Sequence, residues 1–307
     1  MSDAEGRAGG RRRIGFVGLG AMGGGMVRSL RRGGFPVAVY DLDPERIAAL
    51  ADTGVEEVGN PRSAARFGRV VMTSLPTPEA VEAAVLGPGG VLEGLEPGAV
   101  YIDLSTIDPA TVRKVGAAVA AKGARMIDSP VGKGPAEAAA GELTLMLGGD
   151  AATIAEVADV LAAISSARFH CGPLGAGAAA KLVNNLVSCT MCALNGEAMV
   201  LAKKAGVDLQ TMVDIMKTTA ADNRHLRITT EPMTLAGNFA PRFRLAWANK
   251  DLRLAVQLGL QLGVPTPVAH AAQTTHLVAM GLGFAEEDQS ACIKTTERAA
   301  GTEARRA

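Results

Sequence analysis

The chain has 307 residues, 31 lysines and arginines against 31 aspartates and glutamates, and a 48% hydrophobic content. Zero formal net charge removes any global pull on polyanions, and 3% aromatics leave little for stacking nucleic-acid bases. No unbroken run of about 18 apolar residues appears, so no membrane span is expected, and the length suits two domains with separate cores.

Residues 1–12 are small and polar and are expected to form a flexible leader, without the apolar segment of a signal peptide. Residues 13–18 read as a short buried strand. Gly18-Leu-Gly20-Ala21-Met22-Gly23 follows and runs into a helical pattern through about Leu30, and residues 37–41 give a second strand ending in Asp41. This order of strand, G-x-G-x-x-G, helix and strand is that of a dinucleotide-binding unit. Gly18 permits the tight turn, Gly20 lets the backbone approach a pyrophosphate, and Gly23 lets the helix pack close to the strand. Ala21 and Met22 open a helix whose unpaired N–H groups favour phosphate. A carboxylate at Asp41 accepts hydrogen bonds from adenosine ribose hydroxyls and repels a 2′-phosphate. That favours NAD over NADP, with Arg46 nearby acting against the preference.

The alternation continues with strands at 70–75, 100–104, 126–131 and 143–147. Thr77 caps a helix opened by Pro78, and Asp108-Pro109 starts the next. Residues 13–173 are therefore expected to form a Rossmann-type, doubly wound α/β sheet domain. Ligands bind such sheets at the carboxyl ends of the strands. Leu75, Ser105, Thr106 and the Gly132-Lys133-Gly134 loop fall there.

From about Gly175 the strand signal stops. Residues 178–205 form one long apolar helical pattern, read as an interdomain helix, and shorter helices follow at 208–219, 248–263 and 266–281. Residues 174–298 read as an all-α domain for substrate binding and oligomerisation, and 299–307 as a flexible tail. Lys181, Asn184 and Asn185 share one face of the long helix and interrupt its Ala, Leu, Val and Met surface. Such groups are costly there unless they meet polar partners or a ligand. Cys189 and Cys192 form a C-x-x-C with no second pair at zinc spacing, and the four histidines form no ligand cluster. Both sets are read as packing residues, with no metal site.

In order along the chain, Gly18-Leu-Gly-Ala-Met-Gly23, Asp103-Leu-Ser-Thr106, Asp128-Ser-Pro-Val131, Gly141-Glu-Leu-Thr-Leu-Met-Leu-Gly-Gly149, Lys181-Leu-Val-Asn-Asn185 and Lys250-Asp251 resemble the β-hydroxyacid dehydrogenase family, which includes 3-hydroxyisobutyrate dehydrogenase. The resemblance covers residues 13 to about 298. It implies Lys181 as the catalytic lysine and Asn185 as the group that orients substrate. It implies that Ser105 and the loop Gly132, Lys133 and Gly134 hold the acid group, that Thr106 and Lys250 lie near the nicotinamide, and that Leu75 lines the cofactor cleft. Many members read Ser-Gly-Gly where this chain has Gly132-Lys133-Gly134. Sulfolactaldehyde reductases look similar here, with a basic residue that faces the sulfonate, and Asn184 and Ser188 match that branch too. Asn184 stands where decarboxylating 6-phosphogluconate dehydrogenases carry histidine. Lys181 argues against imine reductases, which usually lack it, and against non-catalytic relatives.

The expectation is a cytoplasmic, NAD-dependent oxidoreductase for a small anionic semialdehyde and its hydroxy form, assembled as a homodimer or homotetramer and binding neither nucleic acid nor membrane. 3-Sulfolactaldehyde ranks ahead of 3-hydroxyisobutyrate, tartronate semialdehyde and 4-hydroxybutyrate as the substrate pair. An imine reductase and a non-catalytic dinucleotide-binding module stay open as alternatives.

Overall fold

The computed structural model describes residues 7–8 and 11–306 and divides into two compact units, Met1–Lys181 and Leu182–Ala307. The first unit opens with a small antiparallel pair, β1 (Arg7–Ala8) and β2 (Arg11–Arg12). Arg12 then donates to the Glu156 carbonyl at 2.7 Å and pairs with Asp159. The expected leader is therefore tied down at residues 11–12, while its residues 1–6 and 9–10 lie outside the described residues.

Six strands form the parallel body of a sheet: β3 (Ile14–Val17), β4 (Val37–Tyr40), β5 (Glu56–Glu57), β6 (Val70–Thr73), β7 (Val100–Asp103) and β8 (Arg125–Asp128), in the order β8-β7-β6-β3-β4-β5. Apart from the exposed two-residue β5, their near-continuous apolar runs suit a sheet covered on both faces. Alternate residues divide accordingly. Ile14, Phe16, Val70, Met72, Val100 and Ile102 enter one buried cluster, and Val17, Val71 and Tyr101 enter the other. The doubly wound sheet domain is as expected; β3, β4, β6 and β7 lie within a residue or two of the predicted strands, and β5 answers to none of them.

The predicted strand at 126–131 is broken. Pro130 lacks an N–H and cannot continue a ladder, so β8 ends at Asp128 and a short β9 (Val131–Gly132) turns to pair antiparallel with β10 (Leu143–Gly148). A last strand, β11 (Ser165–Gly172), lies parallel to β10 at the sheet edge. Thr77 and Asp108 cap their helices as predicted, accepting from Ala80 N and from Ala110 N and Thr111 N.

The long helix spans Ala176–Lys204. Asp128, at the end of β8, accepts the N–H groups of Gly175 and Ala178 at 2.7 Å each and so seats the start of that helix. The first compact unit takes in the first turns of this helix and runs to Lys181. Length and mean hydropathy alone would let this helix cross a membrane, against the expectation from unbroken runs, because its average is high despite the interrupting polar residues. Half of that apolar window is buried.

The second unit is helical, as expected, with Leu209–Thr218, Leu245–Gln261, Pro267–Gly281 and Ile293–Ala300 as its main further helices. Cys189 and Ala193 pack against Leu245, Ala248 and Leu252, and Met199 and Val200 against Val213 and Met216. The tail is not loose: Ala304 is fully buried, Arg305 pairs with Glu297, and Arg306 N–H donates to the Leu235 carbonyl.

Candidate active site

In the first unit, the Gly-rich turn joins β3 to the helix Gly23–Arg32. Gly18 has φ +92°, and a Cβ there would stand 2.4 Å from the Ser74 carbonyl oxygen. A Cβ on Gly23 would lie 1.9 Å from the Gly18 carbonyl oxygen. Both glycines are demanded by the fold. Gly20 is different: a Cβ there would meet only Arg46 Nη1, at 3.7 Å. The protein leaves that space open, beside Ala21 and a helix start at Met22 with no side-chain cap and no acid in its first turn. Open backbone N–H groups at such a start suit a pyrophosphate. A cleft of about 280 Å³ lies here, lined by Gly20, Ala21, Arg28, Arg46 and Leu50 among others.

Asp41 directly follows β4. Its carboxylate accepts Leu19 N–H at 2.6 Å and Asp43 N–H at 2.9 Å, with Arg46 at 3.7 Å. Each carboxylate oxygen has a further lone pair for a ribose hydroxyl. Arg46 also pairs with Asp43 at 3.1 Å, so two carboxylates share its charge. These residues fit a dinucleotide.

Further along the sheet, Leu75 N–H donates to Ser105 Oγ at 2.9 Å, which ties two predicted site residues together. Behind them is a buried chain that sequence reasoning did not single out. Tyr101 OH and Thr73 Oγ1 are 2.7 Å apart, and Thr73 Oγ1 donates to Asp103 Oδ1 at 2.8 Å. Ser105 N–H donates to the same oxygen at 3.1 Å. Burial pushes the Asp103 carboxyl up to about 6, against the pull of hydrogen bonds from Ser105 and Thr73.

That carboxyl is more basic folded than unfolded, so its contribution to stability is present below the unfolded value and is lost as pH rises through about 6. Asp103→Asn removes this dependence. The stability of the variant relative to wild type is expected to rise by about 2 kcal/mol from about pH 4.5 to about pH 7.5. Thermal melts at both pH values check it, and a constant difference would contradict it.

The loop after β9 has an uncommon backbone. Lys133 is the one non-glycine residue with positive φ (75°) among those described, a conformation costing about 1 kcal/mol. Its ammonium donates to the Glu142 carbonyl at 2.6 Å and to Ser166 Oγ at 3.3 Å. Both acceptors are the protein's own oxygens, one on the residue before β10 and one on β11. Gly132 is buried beside Thr144, and Gly134 N–H donates to Glu137, which opens the following helix. Thr106 is half-buried beside Ser105 in sequence.

Lys181, half-buried, closes the first unit. In the second unit Asn184 Nδ2 donates to Asn185 Oδ1 at 2.9 Å, and Asn185 Nδ2 donates to Asp251 Oδ2 at 2.6 Å. Lys250 Nζ lies 3.1 Å from Asp251 Oδ1. Asn185 is buried and Asn184 exposed, so the two amides expected to work alike stand in different surroundings. Ser188 Oγ lies 2.8 Å from His225 Nε2. Burial holds His225 below the usual histidine range, so it is neutral near pH 7. The i, i+4 spacing pointed to Asn185, whereas Asp251 and His225 lie 66 and 37 residues from their partners and carry no local signal. Cys189, Cys192 and Cys292 are buried, and among the described residues no group of three His, Cys, Asp or Glu could hold a metal.

Residues 13–172 match the family model described as the NAD binding domain of 6-phosphogluconate dehydrogenase, and residues 175–296 that described as NAD-binding of NADP-dependent 3-hydroxyisobutyrate dehydrogenase. The chain is 36% identical to 2-(hydroxymethyl)glutarate dehydrogenase of Eubacterium barkeri, over 94% of this chain and 96% of the relative. It is 35% identical to 3-sulfolactaldehyde reductase of Escherichia coli, over 95% and 98%. Among solved structures, 3-hydroxyisobutyrate dehydrogenase of Mycobacterium tuberculosis with L-serine is similar at 32% identity and a TM-score of 0.85, over 93% of this chain and 99% of that one.

Proposed function

Because the chain belongs to the β-hydroxyacid dehydrogenase family and is an NAD-binding oxidoreductase, we propose that it interconverts a small anionic semialdehyde and its hydroxy form, with Lys181 as the general acid and base. The observation that carries this reading is Lys181 one helical turn before Asn185, whose amide donates to Asp251, which in turn pairs with Lys250. When bound, the nicotinamide supplies or accepts the hydride. Gly18, Gly20, Ala21, Met22 and Gly23 would hold its pyrophosphate and Asp41 the adenosine ribose, and Leu75, Thr106 and Lys250 would serve the nicotinamide end. In reduction the Lys181 ammonium hydrogen-bonds the carbonyl oxygen and donates a proton as negative charge grows there. In oxidation the neutral amine takes the hydroxyl proton. Asn184, Asn185 and Ser188 fix the reacting end, while Ser105 and the loop Gly132, Lys133 and Gly134 pin the acid end and turn remote binding into orientation.

The anion is read first as a sulfonate, with 3-sulfolactaldehyde as substrate. Two features support this: the relative of that name and a cation in the loop. Carboxylate semialdehydes, as for 3-hydroxyisobutyrate, tartronate semialdehyde or 4-hydroxybutyrate, are the second reading, favoured by Lys133 Nζ resting on Glu142. The test is initial-rate NADH oxidation with sulfonate and carboxylate semialdehydes, for wild type and Lys133→Ala. The first reading expects a sulfonate preference that falls at least about tenfold in the variant, as loss of a charged contact would give. A carboxylate preference indifferent to Lys133 returns the substrate to the second group.

A homodimer or homotetramer goes with this proposal. Val183, Val187, Leu194 and Leu201, spaced to form one stripe on the long helix, are each at least half exposed. Use of the metabolic NADH pool makes the cytoplasm the expected compartment.

A further inference from the structure

We propose that Asp251 is a positioning residue for the reaction: its carboxylate decides which end of the Asn185 carboxamide is presented and holds the Lys250 ammonium beside it. The inference rests on the reading above, in which Asn185 and Lys250 serve the site.

The direction of the amide follows from elementary chemistry. An ionised carboxylate only accepts hydrogen bonds. With Asp251 Oδ2 2.6 Å away, Asn185 must turn its Nδ2 toward it and its Oδ1 away. That oxygen accepts from Asn184 Nδ2 at 2.9 Å. Lys250 Nζ, 3.1 Å from Oδ1, completes the order Asn184 to Asn185 to Asp251, with Lys250 as counter-charge. Without the carboxylate, the carboxamide keeps Asn184 as partner, itself an amide that can offer either a donor or an acceptor. A flip would replace an acceptor by a donor on the helix face that carries Lys181 one turn earlier.

The cost of the arrangement points the same way. Asp251 is 2% exposed, in a helix that also buries Ala248, Leu252, Leu254 and Ala255. A buried ion pair stabilises a fold no better than packed apolar residues of similar volume. A charge kept here is explained by what it orients.

The experiment combines a turnover arm and a contact arm. NADH oxidation is measured for Asp251→Asn, Asn185→Ala and the double variant, with the semialdehyde that wild type turns over best. Asp251→Asn is expected to lower kcat about thirtyfold, with KM for the semialdehyde within about threefold, as misorientation gives. The double variant is expected to be no worse than Asn185→Ala alone, because both lesions remove one device. In protein labelled with ¹⁵N at asparagine side chains, the Asn185 amide, identified by its loss in Asn185→Ala, is expected downfield and slow to exchange, and to lose both properties in Asp251→Asn. Losses that multiply, or an Asn185 amide indifferent to Asp251, overturn the proposal. A wild type that turns over no semialdehyde sinks the dehydrogenase reading instead, and the amide signal still decides the contact. If Asp251→Asn does not fold, Asn185→Asp reads the contact from the other side. Two touching carboxyls cannot both ionise, so its kcat relative to wild type should rise as pH falls. A flat ratio overturns the proposal.

Discussion

Replacing Lys181 with alanine is expected to lower kcat about a thousandfold, with NADH affinity within about threefold of wild type. Proton transfer from a placed side chain contributes about 10²–10⁴-fold, and stabilisation of the growing oxyanion adds to it. Lys181 is half-buried inside a helix, where alanine is the best helix former, so the variant loses chemistry and not fold. Lys181→Arg sharpens the test. Arginine keeps the charge but does not deprotonate and has a planar fork in place of a compact ammonium. Oxidation of the hydroxy form should therefore stay as low as in the alanine variant. Stopped-flow rates with NADH titrations check both. An alanine variant within about tenfold of wild type would remove Lys181 from the catalytic role and assign the proton transfer to another group.

Much of the first unit could be read from residue order, because its signals are local. The apolar runs at 14–17, 37–40, 70–73 and 100–103 have the length and continuity of strands covered on both faces, and the helix starts carry Thr77 or Asp108 before proline. The edge strand Ser165–Gly172 escaped notice for an equally physical reason. It pairs on one side only and exposes Phe169, so the pattern that marks a buried strand is missing. At the site, spacing along one helix placed Lys181, Asn184 and Asn185 on a common face. The hydrogen-bond partners of the candidate site residues come from elsewhere in the chain: Asp251 for Asn185, His225 for Ser188, and the Glu142 carbonyl for Lys133. The last depends on a left-handed backbone at a residue that is not glycine, which residue type argues against rather than for.

The glycines of the first turn give the second large effect, and they separate fold from cofactor. Gly23→Ala puts a methyl carbon 1.9 Å from the Gly18 carbonyl oxygen, so the helix must move off the strand. The expected cost is about 3 kcal/mol or more, with NADH binding lost alongside. Gly20→Ala meets no protein atom closer than 3.7 Å, so its melting temperature should stay within about 2 °C of wild type. The same methyl would occupy the space left for a pyrophosphate, and NADH affinity should fall at least about thirtyfold. Melting curves and NADH fluorescence titrations on the two variants measure both quantities. A Gly20→Ala protein that binds NADH as wild type does would place the pyrophosphate elsewhere. One that unfolds like Gly23→Ala would mean that Gly20, too, is required by packing and says nothing about a ligand. Only the split outcome, intact fold with lost affinity, makes the open space over Gly20 a cofactor site.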